Sequence, residues 1–227
     1  MNPEIKTNEY PQLISYLTLR KAVGILGLSF PVVLAAGSLI AGDCHEILDS
    51  ISTYYHSGMR NIFVGVMCVL ALFLFAYRGY ELRDALAGNL GCIFALGVAF
   101  FPTSVTGQLP DCIPAPADHP VLSSLHFISA ALLFLVLTYF SLFLFTKGSG
   151  NPTPRKLKRN RLYRICGYTM LCCLSLIAVY FYLLEKRFPA LSRLDPVFWL
   201  ESVALWAFGI SWLTKGKALL NDLESDA

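Results

Sequence analysis

Charged residues are scarce in this sequence of 227 residues: Asp, Glu, Lys and Arg together make up 15%, whereas hydrophobic residues make up 56%. A soluble globular domain carries about 25% charged and about 45–50% apolar residues. The mean hydropathy of +0.58 points the same way. The shortage of charge therefore excludes an ordinary soluble domain, and a membrane protein is the first hypothesis.

Several motifs that would identify a function are also missing. The sequence has no His-Glu-x-x-His motif, no histidine pair at i and i+4 and no Cys-x-x-Cys, so the signal for a zinc site is weak. It has no internal repeat and no loop long enough to fold as a separate domain. The first apolar run is about 20 residues long and lacks a small-residue cleavage site, so we expect it to be retained rather than removed as a signal peptide.

What the sequence does contain is a series of apolar runs, each close to the ~20 residues that a helix needs to cross a bilayer. A bilayer leaves no partner for unpaired backbone groups, so such segments must be helical. We therefore predict an all-α polytopic bundle, with a lead-in or interfacial helix over 1–21, one membrane domain over 22–213 and a cytoplasmic tail over 214–227. The predicted spans are six, near 22–41, 61–77, 86–102, 121–146, 162–184 and 196–213.

The positive residues are distributed unevenly between the loops. Lys and Arg are enriched in the cytoplasmic loops of membrane proteins. With cytoplasmic termini, every Lys and Arg falls on the cytoplasmic side except Arg60, Lys186, Arg187 and Arg193. The distribution predicts a multi-pass protein of an inner or plasma membrane with both termini in the cytoplasm. The basic run "RKLKRNRLYR" is then a loop beside the membrane, and we expect lipids rather than nucleic acid as partners.

Two of the seven cysteines differ from the others in position. Five fall within predicted spans, where a thiol packs as a small hydrophobic group. Cys44 and Cys112 fall in loops predicted to be extracytoplasmic. In an oxidising compartment these two would form a disulfide that joins the first outer loop to the second.

The polar residues of interest gather at the predicted outer face. All four histidines lie on or near that side, and His126 and Glu201 lie roughly 9 Å and 8 Å along their helices, counted from Pro120 and Pro196. An ionisable residue inside a span indicates a functional site, because burying it unpaired is costly. The expected partners of Glu201 are His126, Arg60 or His56, and we expect His126 and Glu201 to approach each other directly or across one shared partner. The candidate pocket residues are Ser52, His56, Arg60, His126 and Glu201, the first three sharing one face if that segment is α-helical.

Several kinds of site remain open for these residues. A zinc site would use His56 and His126 with Asp49 or Glu201, although no cofactor is expected from the motifs. A serine nucleophile would use Ser52 with His56 and Asp49. In the plainest interpretation, Glu201 pairs with His126 or Arg60 only to fix helix packing. The nearby aromatic residues would then form an interfacial belt: Tyr54, Tyr55, Tyr182 and Trp199.

Residues 50–146 resemble the Frag/DRAM/Sfk group of six-span membrane proteins and uncharacterised bacterial proteins akin to it. The likeness rests on the serine-bearing segment "SISTYYHSGMR" before span two, the "FFPT" that ends span three, and the histidine that opens span four in "LHFISAALLF". It implies a six-helix protein linked to membrane trafficking or lipid organisation, without an agreed catalytic activity.

A second likeness rests on the spacing of Ser52 and His56. It is similar to the Ser-x-x-x-His of the alkaline ceramidase and adiponectin-receptor superfamily, whose members bind zinc through histidines and hydrolyse lipid amides. The likeness implies that His56 is a metal ligand. The sequence departs from that pattern because it has no seventh span and no later His-x-x-x-His.

These observations rank three functions and leave enzymatic activity open. The first is a non-enzymatic protein that binds or senses a lipid or small molecule through the outer polar cluster. The alternative is a zinc-dependent lipid hydrolase that uses His56 and His126. The third is a proton-coupled transporter with Glu201 as the relay, although no inverted repeat supports it.

Overall fold

The computed structural model describes residues 11–41, 44–77, 79, 81–104, 112–113, 119–148 and 153–219, and within them the protein is helical, with no strand. Two short 3₁₀ helices, Ser52–His56 and Pro189–Leu194, precede the second and the sixth long helix. π-helical turns extend the fourth and fifth to Leu144 and Leu184. The long helices are α1 (Pro11–Ile40), α2 (Arg60–Ala76), α3 (Leu82–Phe100), α4 (Pro120–Tyr139), α5 (Pro154–Val179) and α6 (Pro196–Lys215).

Five of these helices are long and apolar enough to cross a membrane, while the apolar α2 is shorter, at 17 residues. Large hydrophobic side chains stand exposed on the outside of the bundle, among them Ile25, Leu72 and Ile93. A soluble protein rarely exposes apolar surface on this scale, whereas a membrane protein turns it to lipid. The predicted all-α fold is confirmed, and the protein has the form of a multi-pass membrane protein.

Two helices begin earlier than the apolar runs predict. α1 is continuous from Pro11, so the described part of the predicted lead-in runs without a break into the helix predicted as span one. α5 begins at Pro154, where the Thr153 side chain accepts a hydrogen bond from the backbone N–H of Lys156. A cap and a proline at the first helical position start a helix as well as apolar residues do. Hydropathy therefore locates the apolar stretch of each helix rather than the residue at which the helix starts.

Helices α1 and α6 touch through their backbones. A Cβ added to Gly24 would lie 2.8 Å from the backbone nitrogen of Leu213, and one added to Gly209 would lie 2.7 Å from the carbonyl oxygen of Gly24. Only glycine allows this approach, as in other tightly packed membrane helices. The contact aligns the start of α1 with the end of α6.

The helices alternate in direction, so the bundle has two ends. The histidine end carries residues 44–57, 101–104, 119–126 and 195–201. The lysine end carries residues 16–21, 77, 145–147 and 212–217. Ring contacts confirm the second grouping, since Tyr77 lies 6.0 Å from Tyr16 and 5.4 Å from Trp212 between ring centroids.

Candidate functional site

The loop after α1 is tied to the start of α6 by two hydrogen bonds. The backbone N–H of Phe198 donates to the carbonyl oxygen of Asp49 at 2.9 Å. The N–H of Ile51 donates to Glu201 Oε2 at 2.7 Å. The first bond satisfies one of the N–H groups that the start of a helix leaves unpaired. The second holds the Glu201 carboxylate against the chain just before the 3₁₀ helix.

Local polar contacts shape this 3₁₀ helix. Ser50 Oγ accepts from the N–H of Thr53 at 3.1 Å, and the Thr53 hydroxyl donates to Asp49 Oδ1. Tyr54 is fully buried, and its hydroxyl oxygen accepts from the N–H of Leu48 at 3.3 Å. Burial raises the pKa of the Tyr54 hydroxyl, which keeps it neutral. Asp49 therefore serves the loop through both its carbonyl and its carboxylate.

His126 is fully buried and has a partner on each ring nitrogen. Its Nδ1 lies 2.8 Å from the carbonyl oxygen of Phe101, and its Nε2 lies 3.0 Å from Ser52 Oγ. A carbonyl oxygen only accepts, so Nδ1 carries the proton. In the neutral ring Nε2 then accepts from the Ser52 hydroxyl. The result is a Ser–His pair whose histidine is oriented by a backbone carbonyl, so that a hydroxyl and a base lie within hydrogen-bond distance of each other.

His56 and Arg60 occupy the outer side of the same region. His56 Nε2 lies 2.7 Å from the carbonyl oxygen of Thr103. Arg60 Nη2 donates to Tyr55 Oη at 2.9 Å, and the guanidinium lies 4.6 Å from the centroid of that ring. Both histidines therefore bind carbonyls of one short segment, residues 101–103. Arg60, by contrast, turns to Tyr55.

The expected pairings differ from those observed. Ser52 bonds to His126 rather than to His56, because residues 52–56 form a 3₁₀ helix and α2 begins only at Arg60, so the three predicted neighbours do not share one α-helical face. Glu201 meets neither His126 nor Arg60 directly. It bonds to Ile51, while His126 bonds to the next residue along, so the two side chains hold adjacent positions of one turn.

An apolar cavity opens inside the bundle from this polar cluster. It measures about 50 Å³, and its walls come from α1, α2, α3, α4 and α6. Ser52 and Glu201 line it at the histidine end and are the polar side chains among its lining residues. The apolar walls include Phe30, Phe63, Leu70, Val98, Leu133 and Phe208. The cavity can therefore receive the apolar part of a molecule whose polar end lies beside the Ser52 hydroxyl and the Glu201 carboxylate.

The cysteine and metal predictions have separate outcomes. Cys44 and Cys112 are joined by a disulfide with an S–S distance of 2.03 Å. Within the described ranges, no group of three or more His, Cys, Asp and Glu side chains is arranged to hold a metal. Of the four proposed ligands, His126 already has both nitrogens in hydrogen bonds and Asp49 accepts from Thr53.

Sequence reasoning missed the backbone partners of the two histidines. The carbonyls of Phe101 and Thr103 are free to accept because α3 ends at Phe100, and the last carbonyls of a helix have no partner within it. The signal was present in the "FFPT" segment, since a proline biases the preceding residue away from helical conformation. Where a span ends at the same face as two histidines, the unpaired carbonyls at that end are the acceptors to expect.

We compared the chain with protein-family models, curated proteins and solved structures, and none of them matches it.

Proposed function

We propose that the protein binds a lipid or a small apolar molecule in the membrane, with an acyl chain or similar group in the cavity and its polar end beside Ser52 and Glu201. The observation that carries the proposal is the cavity itself, which measures about 50 Å³ and has apolar walls with its polar side chains at one end. One water molecule requires only roughly 10–15 Å³, but apolar walls hold water poorly. An apolar ligand therefore suits this space better than water does.

The proposal is tested by filling the cavity. Ala130 lines it, whereas Ala178 lies exposed on the outside of α5. We expect Ala130→Leu to reduce labelling of the cavity residues by a photoactivatable phospholipid with a diazirine on its acyl chain, with the label mapped by mass spectrometry. Ala178→Leu is the matched control and should leave that labelling unchanged. Labelling confined to the lipid-facing residues, or insensitive to Ala130→Leu, would rule out the cavity as the binding site.

The same proposal includes an orientation: six spans in a bacterial inner membrane, both termini in the cytoplasm and the histidine end outside. Helix α2 has 17 residues. At ~1.5 Å per residue, a helix of that length reaches about 25 Å, which is near the lower limit for a span. The Cys44–Cys112 disulfide supports the orientation, because such bonds persist in oxidising compartments. Of two reporters fused after Ala227, the one that works only in the cytoplasm should be active and the one that works only after export should be inactive. The opposite result would show that the C-terminus lies outside.

The second candidate function is lipid hydrolysis, the activity implied by the likeness to the alkaline ceramidase superfamily. The observation that favours it is the grouping of Ser52, His126 and His56 around residues 101–103. A zinc-dependent enzyme should copurify with zinc that is lost from both His56→Ala and His126→Ala. Metal absent from the unchanged protein, or retained by both variants, would exclude this mechanism.

Two further expectations stay proposals. A relation to the Frag/DRAM/Sfk group would agree with a lipid-binding role. Proton-coupled transport would require the Glu201 carboxylate to exchange protons, and in this structure it is held by the N–H of Ile51. A proton flux into proteoliposomes that Glu201→Gln abolishes would favour transport over binding.

A further inference from the structure

The lysine end contains buried N–H donors that lack an acceptor. Among the described residues, Arg20 Nε and Trp212 Nε1 are buried and make no hydrogen bond. Trp212 is fully buried as a residue. Buried donors are almost always paired in native proteins, so two such groups on adjoining helices call for an acceptor beyond those that the described residues provide.

The two donors lie in one aromatic cluster, and its two cations are Arg20 itself and Lys215. The Arg20 guanidinium lies 4.1 Å from the ring centroid of Tyr16 and 5.7 Å from that of Tyr77. Lys215 Nζ lies 5.3 Å from the centroid of Phe145. The Trp212 ring contacts both of the latter rings, with centroids 5.4 Å from Tyr77 and 5.2 Å from Phe145.

Arg20 and Lys215 are neighbours across the contact of α1 with the end of α6. A Cβ built on Gly216 would lie 3.3 Å from Arg20 Cβ, so the residue after Lys215 packs directly on the arginine. The charges of Arg20, Arg159 and Lys156 all repel that of Lys215. The cluster thus holds positive charges close together, at a place where the bundle ends.

The carboxylate that attracts Lys215 already has a partner. Asp84 attracts Lys215, but its Oδ1 lies 3.4 Å from Lys147 Nζ, which in turn lies 2.9 Å from Glu81 Oε2. In the part of the chain that the structure describes, neither Arg20 nor Lys215 has a carboxylate within ion-pair distance. Among the described residues, the lysine end therefore holds more positive charge and more hydrogen-bond donors than it has partners for.

We propose that the lysine end binds a phosphate group between Arg20 and Lys215, supplied by an anionic phospholipid head group or by free phosphate. Phosphate offers several strong acceptor oxygens, and the planar guanidinium matches its geometry while the lysine adds a point charge. Basic pockets between membrane helices bind such head groups at the membrane surface. The site lies at the opposite end from the proposed cavity mouth, so the two proposals stand or fall separately.

The test compares the full-length protein in nanodiscs of phosphatidylcholine alone and of phosphatidylcholine with phosphatidylglycerol, each with and without inorganic phosphate. Thermal unfolding reports stabilisation by a bound ligand, and native mass spectrometry counts the bound lipids. We expect phosphatidylglycerol to raise Tm by several degrees if the head group is the ligand. Stabilisation by inorganic phosphate in phosphatidylcholine would identify the free anion instead.

Three variants assign the effect to this site. Arg20→Gln and Lys215→Gln should each weaken binding about tenfold or more, because each removes a charge-assisted hydrogen bond. Lys215→Arg should retain binding, which covers the case in which Arg20→Gln does not fold. Lys158→Gln is the control, since Lys158 is an exposed cation on α5 near the same end. Equal losses for Lys158→Gln and Lys215→Gln would mean general attraction to negative membranes, and no stabilisation by either phosphate source would refute the site.

Discussion

The two ends of the bundle solve the problem of buried polarity in opposite ways. At the histidine end, donors meet acceptors within the chain: Ile51 with Glu201, Ser52 with His126, and both histidines with carbonyls after α3. At the lysine end, aromatic rings surround cations and N–H groups without acceptors. The groups named at the first end are paired by hydrogen bonds and lie beside a cavity, whereas in the described part of the second end neither Arg20 nor Lys215 has a carboxylate within ion-pair distance.

The difference follows from the structural elements that form each end. The histidine end is built from loops and helix termini, whose backbone groups need partners. The lysine end is built mainly from side chains of helices whose backbone groups are already paired. Large aromatic rings therefore determine its packing, and residues near the start of α1 and the end of α6 supply its charges. The two proposed ligands follow from this difference: an apolar group in the cavity at the first end and an anion at the second.

The largest expected effect comes from the centre of the lysine end. Trp212 is fully buried, so Trp212→Ala empties the space of a whole ring and should lower the free energy of unfolding by about 3–5 kcal/mol. Trp212→Phe keeps most of the ring and removes an N–H that has no acceptor in the described structure. It should therefore cost about 1 kcal/mol or less. Chemical unfolding in mild detergent measures both.

The two Trp212 variants also tell packing from hydrogen bonding. If Trp212→Phe were as costly as Trp212→Ala, the indole N–H would have a partner, and the contrast between the ends would fail. Adding anionic lipid should increase the difference in free energy of unfolding between the unchanged protein and Trp212→Phe only if the indole N–H belongs to the phosphate site.

A smaller effect is expected at the histidine end, and there it should come from hydrogen bonds. His126→Leu preserves an apolar volume but leaves the Phe101 carbonyl and the Ser52 hydroxyl without their partner. An unsatisfied buried group costs about 1–3 kcal/mol. Ser52→Ala alone should cost less. The double variant should cost less than the sum of the two, since the pair interacts directly.

The control for His126 is on the same helix. Ser124 is exposed and bonds only to the carbonyl oxygen of Pro120 one turn earlier. Ser124→Ala should change stability by no more than about 0.5 kcal/mol. Strict additivity of Ser52→Ala and His126→Leu would show that their hydrogen bond contributes nothing.

The sequence predicts the helices well and the contacts between them poorly. Apolar runs locate all the long helices because lipid forces apolar surface outward along the entire length of a span. The early starts of α1 and α5 escape this signal, since their first turns contain polar residues and begin at Pro11 and Pro154. Whether α2 completes a sixth span stays a prediction.

The candidate site shows the same division. Ser52, His126 and Glu201 lie at one end of the bundle, and they were selected because ionisable and polar residues are rare in spans; their role as a binding site stays a prediction. Spacing along the chain offers Ser52 with His56, whereas the fold pairs Ser52 with His126, which lies 74 residues away. The lysine end escaped notice because Tyr77 and Trp212 look like ordinary interfacial aromatics. Unpaired donors become visible only in three dimensions.

The smallest expected effect tests whether the histidine end also carries an imbalance, in this case of negative charge. Asp195 precedes α6 with a left-handed backbone, φ 45° and ψ 52°. Burial raises the pKa of its carboxyl group, and the nearby Asp49 and Glu46 raise it further. Asn tolerates this conformation and carries no charge, so Asp195→Asn removes the repulsion without straining the chain.

The sign of the pH effect follows from the raised pKa. Near pH 3 the carboxyl is protonated in both states, and as pH rises the unfolded chain loses its proton first, so the folded state loses relative stability until its own carboxyl ionises. At pH 7 Asp195→Asn should therefore be the more stable protein. The gain should stay below about 1 kcal/mol, because partial exposure screens the charges and the start of a helix favours an anion. Thermal unfolding between pH 4 and pH 8 should show the advantage of Asp195→Asn shrinking towards pH 4. A less stable Asp195→Asn at pH 7 would mean that the helix terminus outweighs the neighbouring carboxylates, and the imbalance of charge would then be confined to the lysine end.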